Sequence, residues 1–478
     1  KFNKPIKPNI LPVALSSLTF GNNFNQIIVV GSLPPSLTTL CFTLYSKYNH
    51  PFIPGSLPSL LINLTLGEKY NQSFSSGSLP SSLLHPSFPN NSKYDHDFQS
   101  NVLPYSLQTL LLGPSFKKSL NNCLPQSLLS LTLGEVYNLP IFENTLPKGL
   151  RVLKFGYWYT QPMSPGVLPN SIVDLSLYYI NDYKTIRTIP LGVLPPSLTR
   201  LQVAGDLDLY TKDRLPNTLT DLTIRELQID THISFKDLPS SLVRLNLQRR
   251  LGLGLFDHIA LASSTLPYLQ SLTLESSTAT PADIAPGCLV SSLTELKIGN
   301  SYRCRLLAGS LPGTLTSLDL GRLYNYDLDT TILPSSLTSL LIGYDGLVPM
   351  RITFPKLRQL SLPTIQHLEN VSCLVDSLYA SVPFKRMLLD MKSINDHMSL
   401  LCIRECKSTY GYVNQINRCL KIVLDKIPNV NIYRILVAGY DIQFRRIDKN
   451  KGVLYSEVTS NKKTSSVQTK KSIHILKI

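Results

Sequence analysis

Charged residues are scarce in this chain of 478 residues, where Asp, Glu, Lys and Arg make up only 16%, against about 25% in an ordinary soluble domain. No uninterrupted apolar run approaches the ~20 residues a membrane-spanning helix needs, so no span is expected. The eight cysteines (Cys41, Cys123, Cys288, Cys304, Cys373, Cys402, Cys406 and Cys419) are dispersed. That spacing excludes a small disulfide-stapled scaffold. Cys402, Cys406 and Cys419, near His397, form one cluster, but the C-x3-C spacing has no matching second pair and zinc is not expected. Without a signal-peptide pattern, reduced thiols and a cytoplasmic location are the expectation. The G-x-S-x-G nucleophile elbow, the G-x-x-x-x-G-K-[ST] phosphate loop and the H-E-x-x-H zinc motif are all missing. The segment Gly252-Leu253-Gly254-Leu255 lacks the strand-turn-helix setting of a dinucleotide site. Neither enzymatic activity nor a cofactor is expected.

Acidic residues are outnumbered, and unevenly so. The formal charge is +15, of which +5 falls in residues 1–375 and +10 in residues 376–478. A basic end suits nucleic acid or an acidic surface. The segment from Asn461 to Lys471, however, has no interleaved aromatic residue and no folded recognition motif. A mobile, solubilising tail that contacts acidic partners is therefore expected, and nucleic-acid binding is not.

What is abundant is leucine followed by proline. Fourteen Leu-Pro pairs, from Leu11-Pro12 to Leu333-Pro334, recur at steps of mostly 21–24 residues, and Leu289-Val290 and Phe354-Pro355 fill the register as variants. The period lies within the ~20–29 residues of leucine-rich repeats. The unit reads L-P-x-x-L-x-x-L-x-L-G, as in Leu124-Pro125, Leu128, Leu131, Leu133 and Gly134. Its L-x-L alternates with period two, the mark of a short strand buried on one face. Proline cannot donate to a sheet ladder, so each Leu-Pro pair is expected just outside its strand. Glycine after the strand (Gly21, Gly67, Gly113, Gly134, Gly156, Gly299, Gly321, Gly343) suits a turn at positive φ. No unit can bury its leucines alone, so the units must stack into one core.

The return half of the coil has its own signature: Phe2-Asn3-Lys4-Pro5-Ile6, Phe24-Asn25-Gln26-Ile27-Ile28, Tyr48-Asn49-His50-Pro51-Phe52, Tyr70-Asn71-Gln72-Ser73-Phe74 and Tyr137-Asn138-Leu139-Pro140-Ile141, with Tyr159-Thr160-Gln161-Pro162-Met163 a looser copy. This pattern resembles the FNIP repeat family, named for Phe-Asn-x-Pro-Ile and related to leucine-rich repeats. The motif match covers residues 1–165, and the Leu-Pro anchor extends it to about residue 363. The resemblance implies a protein-interaction array, and some such arrays are joined to F-box or kinase-like modules. The chain opens inside a repeat, so a missing N-terminal portion is expected, and the array would then be the substrate-recognition arm of an F-box-type adaptor. Physically, the aromatic and the terminal Ile or Phe are expected to plug the convex side of the core. Asn3, Asn25, Asn49, Asn71 and Asn138 are expected to form a ladder satisfying buried turn backbone.

With the leucines inward, the residues between them face outward. The first six coils carry mostly Ser and Thr there (Ser17, Thr19, Thr39, Thr65, Thr109, Ser130, Thr132), whereas Lys154, Asp174, Arg200, Asp221, Arg244, Glu295, Lys297 and Asp319 bring both signs to the later ones. Two readings compete. The charges steer and specify a protein partner, or neighbouring opposite charges pair across adjacent strands.

The expected fold is thus a leucine-rich-repeat-like solenoid of about sixteen ~22-residue coils over residues 1–363, with a parallel β-sheet on one face. Residues 364–458 are expected to form a small α+β region or cap, and residues 459–478 a disordered basic tail. Phe384, Met387, Leu388 and Met391 recur at helical spacing, as do Ile416, Leu420, Val423, Leu424 and Ile427. Arg418, Lys421 and Lys426 make the second helix basic, so it is read either as an end cap or as a target for calmodulin or a similar acidic partner. Strands are expected around Ile435–Val437, Ile442–Ile447 and Val453–Tyr455, with a turn at Asp448–Gly452.

Overall fold

A computed structural model describes residues 2–178, 189–204, 214–227, 237–249, 265–276, 284–299, 305–321 and 331–342, three single residues near 326, and seven strands beyond. The chain divides into two compact units. In the first, β1 (Ser17–Phe20), β2 (Thr39–Phe42), β3 (Asn63–Thr65), β4 (His85–Ser87), β5 (Thr109–Leu111), β6 (Ser130–Thr132), β7 (Val152–Lys154), β8 (Asp174–Tyr178), β9 (Arg200–Ala204) and β10 (Asp221–Leu227) each pair in parallel with the next. The second holds β11 (Arg244–Arg249), β12 (Ser271–Ser276), β13 (Glu295–Ile298), β14 (Ser317–Asp319), β15 (Ser339–Leu341), β16 (Gln359–Leu362), β17 (Ser377–Ala380), β18 (Met398–Arg404) and β19 (Val430–Val437), again parallel. Three antiparallel strands follow: β20 (Tyr440–Asp448), β21 (Lys451–Thr459) and β22 (Thr469–Lys477).

Each expected L-x-L is a strand, and register sets leucine beside leucine. Leu40, Leu64, Leu131, Leu153, Leu175, Leu201 and Leu222 are fully buried. The Leu-Pro pair forms the turn before each strand, where the proline carbonyl accepts the N–H of the leucine three residues on, as in Leu37 to Pro34 at 3.1 Å. One proline breaks that rule. Pro86 occupies the inward position of β4, and β4 meets β5 through the single register pair Ser87–Leu111, because proline has no N–H to donate.

A second regularity lies in the residue before the inward leucine. Ser36, Ser82, Ser106, Ser127, Ser171, Ser197, Thr218 and Ser241 each donate a hydroxyl hydrogen bond of 2.6–3.0 Å to a main-chain carbonyl of the preceding coil. Ser292, Thr314 and Ser336 repeat this in the second unit. The unit is therefore better written L-P-x-[ST]-L. Ser106 bonds both Ser81 O and Leu83 O, at 2.6 and 3.0 Å. Ser106→Ala should lower stability by about 1 kcal/mol, read from the urea midpoint; an unchanged midpoint would leave this ladder without energetic weight.

On the return side the expected plug forms. Phe24, Tyr48, Tyr70, Tyr94, Phe116, Tyr137 and Tyr159 stack in one buried column with centroids 6.1–6.3 Å apart. Strands repeat at only ~4.8 Å, so the coils of the first unit splay on the aromatic side and the sheet is its inner, concave face. Ile28, Phe52, Phe74, Phe98, Leu120 and Ile141 close the core beside them. The asparagine ladder also forms, with one correction. It runs mostly along the exposed surface, not in a buried turn: the side-chain oxygens of Asn3, Asn25, Asn49, Asn71 and Asp95 accept the N–H of Asn25, Asn49, Asn71, Asp95 and Lys117 at 2.8–3.1 Å. Polar side chains can then take the place of a sheet where the coil is irregular. Lys117 offers no acceptor, and the pattern resumes from Asn138 to Thr160.

The glycine expectation needs correcting too. Of the glycines after strands, Gly321 has positive φ, whereas Gly67, Gly113, Gly134 and Gly156 do not. Positive φ sits instead two residues before the anchor leucine, at Gly31, Gly55, Gly77, Gly166, Gly192, Gly287 and Gly309, with Asn9, Asn101, Asn122 and Asn144 as the substitutes that tolerate it.

Parallel pairing does not stop at residue 363. Leu360, Leu378 and Leu401 continue one column through β16, β17 and β18 without a Leu-Pro anchor, so sequence reading lost the pattern there. The expected strands around 435–455 lie within β19, β20 and β21. The tail is not wholly without structure either: β22 pairs with β21 from Thr469 to Lys477. Its Ile473-His474-Ile475 alternation carries a strand signal that the surrounding lysines obscured. The two expected helices, and with them Cys406, Cys419 and His397, lie outside the described residues.

Candidate functional site

The concave face consists of in-register columns. One runs Thr19, Cys41, Thr65 and Ser87, and continues through Leu111, Thr132, Lys154, Ser176, Gln202 and Thr223. The parallel column runs Thr109, Ser130, Val152, Asp174, Arg200 and Asp221. Over the early strands the polar groups bond along the column, as in Asn63 Nδ2 to Thr39 Oγ1 at 3.3 Å and His85 Nδ1 with Thr109 Oγ1 at 2.9 Å. Cys41 lies beside Thr65, and burial pushes its thiol above the ordinary range.

At β8 to β10 the face changes character. Arg200 lies between two carboxylates, with Nη1 3.6 Å from Asp174 Oδ2 and Nε 3.4 Å from Asp221 Oδ2. The carboxylates are 19% and 18% exposed, the guanidinium side chain 56%. Three of the candidate residues thus meet, because parallel register places 174, 200 and 221 side by side. In the second unit Lys297 bonds Glu275 at 2.6 Å, and this contact is the main reason its ammonium is held above the usual lysine range. Asp319 stands opposite Lys297 in register. Burial pushes its carboxyl up, opposed by the N–H of Gly321 at 2.9 Å and by Lys297. Lys154 and Glu295 are exposed beside serine neighbours (Ser176; Ser271 and Ser317), and Arg244 stands opposite Ser271.

Glu275 escaped the sequence reading because that reading stopped at the L-x-L pair. β12 is six residues long, and Leu274-Glu275 supplies a third outward position. Strand length was the missing signal. Among the described residues no group of His, Cys, Asp and Glu could hold a metal ion, and no helix is long and apolar enough to cross a membrane.

Parallel strands at a ~22-residue period, buried leucine columns and cross-coil side-chain ladders define a β-solenoid of the leucine-rich-repeat kind. The profile described as FNIP Repeat matches the coils at residues 2–44, 48–91, 94–135, 137–179, 283–323 and 305–345. Among solved structures, the chain is similar to CroV588, described as a novel circular leucine-rich-repeat protein, at 29% identity and a TM-score of 0.61. The match covers 84% of this chain and 61% of that one. No curated protein matches the chain.

Proposed function

We propose that this chain is a non-enzymatic protein–protein interaction scaffold whose exposed sheet face is the binding surface. The observation that carries this reading is the switch, within one continuous register, from hydroxyl columns to the Asp174–Arg200–Asp221 cluster. A repeat sheet offers a long surface without a pocket, and local charge gives such a surface selectivity. The charges already pair with one another, which does not count against the reading. The Arg200 side chain is 56% exposed, so a partner carboxylate can approach its guanidinium while Asp174 and Asp221 stay in place.

Binding should follow the face and not the turns. A bait carrying Arg200→Glu is expected to lose at least tenfold of what the wild type captures in quantitative pull-downs. A bait carrying Lys47→Glu and Lys93→Glu, both exposed and outside the strands, should keep it. Equal retention by both variants would remove the sheet face from consideration.

A further inference from the structure

Tyr48, Tyr70 and Tyr94 occupy three consecutive coils of the aromatic column, with centroids 6.1 and 6.3 Å apart and rings within 13° of parallel. All three are buried, and their hydroxyls have no hydrogen-bond partner among the described residues. Parallel rings at this spacing put successive hydroxyl oxygens roughly 6 Å apart, too far for a direct O–H···O bond of about 2.7 Å. Packing does not demand a phenol here. Phe24 and Phe116 fill the same position and stack on Tyr48 and Tyr94 at 6.1 and 6.3 Å. Each hydroxyl is therefore an addition to a site that accepts a plain ring, and an unpaired buried hydroxyl is unfavourable.

We propose that the hydroxyls of Tyr48, Tyr70 and Tyr94 line a buried polar seam that binds a file of ordered water, closed at its two ends by Phe24 and Phe116. Buried waters characteristically make about three hydrogen bonds to otherwise unpaired polar groups. Two phenols supply two of these in each gap. Water then joins neighbouring coils on the return side, where no sheet does so.

Thermal melts of Tyr70→Phe and of the triple Tyr48→Phe, Tyr70→Phe, Tyr94→Phe chain test the seam. If the hydroxyls hold water, Tyr70→Phe lowers Tm by roughly 2–4 °C and the triple lowers it further. If the hydroxyls are dry, removing them relieves a penalty, and an unchanged or raised Tm overturns the proposal. A high-resolution crystal structure of the unaltered chain gives an independent reading. Water density within about 2.6–3.2 Å of Tyr70 Oη supports it, and a dry contact there overturns it.

Discussion

Gly134→Ala should destabilise the first unit by about 3 kcal/mol, the upper part of the range for overpacking. A β-carbon on Gly134 would stand 1.9 Å from the carbonyl oxygen of Gly113 and 2.7 Å from its carbonyl carbon. Gly156 repeats the geometry one coil later, 2.0 Å from Gly134 O. These are backbone atoms, so no side chain can swing aside; the coils would have to separate. Glycine is needed here for close approach and not for an unusual φ. Gly149 supplies the control. It is exposed and lies one coil after Gln126, whose carbonyl oxygen would stand 3.9 Å from an added β-carbon, an ordinary contact, so Gly149→Ala should lie within about 0.5 kcal/mol of wild type. Urea unfolding followed by circular dichroism compares the two. Equal midpoints for Gly134→Ala and Gly149→Ala would show that the coils do not pack as described.

Leu131→Ala should cost about 2–5 kcal/mol, the range for emptying a fully buried leucine site. Leu131 lies in β6, with Leu110 and Leu153 beside it in register on the two neighbouring strands. Losing its side chain leaves a cavity bounded by both, and the fixed strand spacing limits collapse. Leu129, two residues earlier, is 41% exposed. Leu129→Ala should change stability by no more than about 0.5 kcal/mol. Two leucines in one sequence run thus give opposite results, a contrast that composition alone does not predict. Similar losses at the two sites would contradict the burial pattern.

The strands and the aromatic plug were legible in the sequence because leucine, proline and Phe or Tyr are large or conformationally restrictive, and they recur at one spacing. The serine hydroxyls of L-P-x-[ST]-L were passed over because serine is common in loops and its partner lies about 22 residues away. Glycine's two roles could not be separated by residue type: Gly31 answers to backbone φ and Gly134 to the preceding coil's carbonyl. Pro86 hid behind the many prolines that do stand outside strands. On the face, charge was legible while pairing was not. Asp174, Arg200 and Asp221 are 26 and 21 residues apart, and only parallel register makes them neighbours. Past residue 363 the anchor disappears, and Leu378 and Leu401 continue the column with no local mark to announce them.

The central claim is that residues one coil apart form outward columns on the sheet face of the first unit. Cys41 tests it directly, because Thr65 is its in-register neighbour on β3 while Leu64 points into the core. Adjacent strands bring the Cα atoms to ~4.8 Å, within the usual disulfide range of 4.4–6.8 Å. Oxidised Thr65→Cys protein, analysed by non-reducing peptide mass spectrometry, should show Cys41 bridged to the introduced thiol at position 65 in most molecules. Leu64→Cys protein should not contain a bridge to Cys41. A bridge from position 64 with none from position 65 would place the columns on the wrong face and contradict the account.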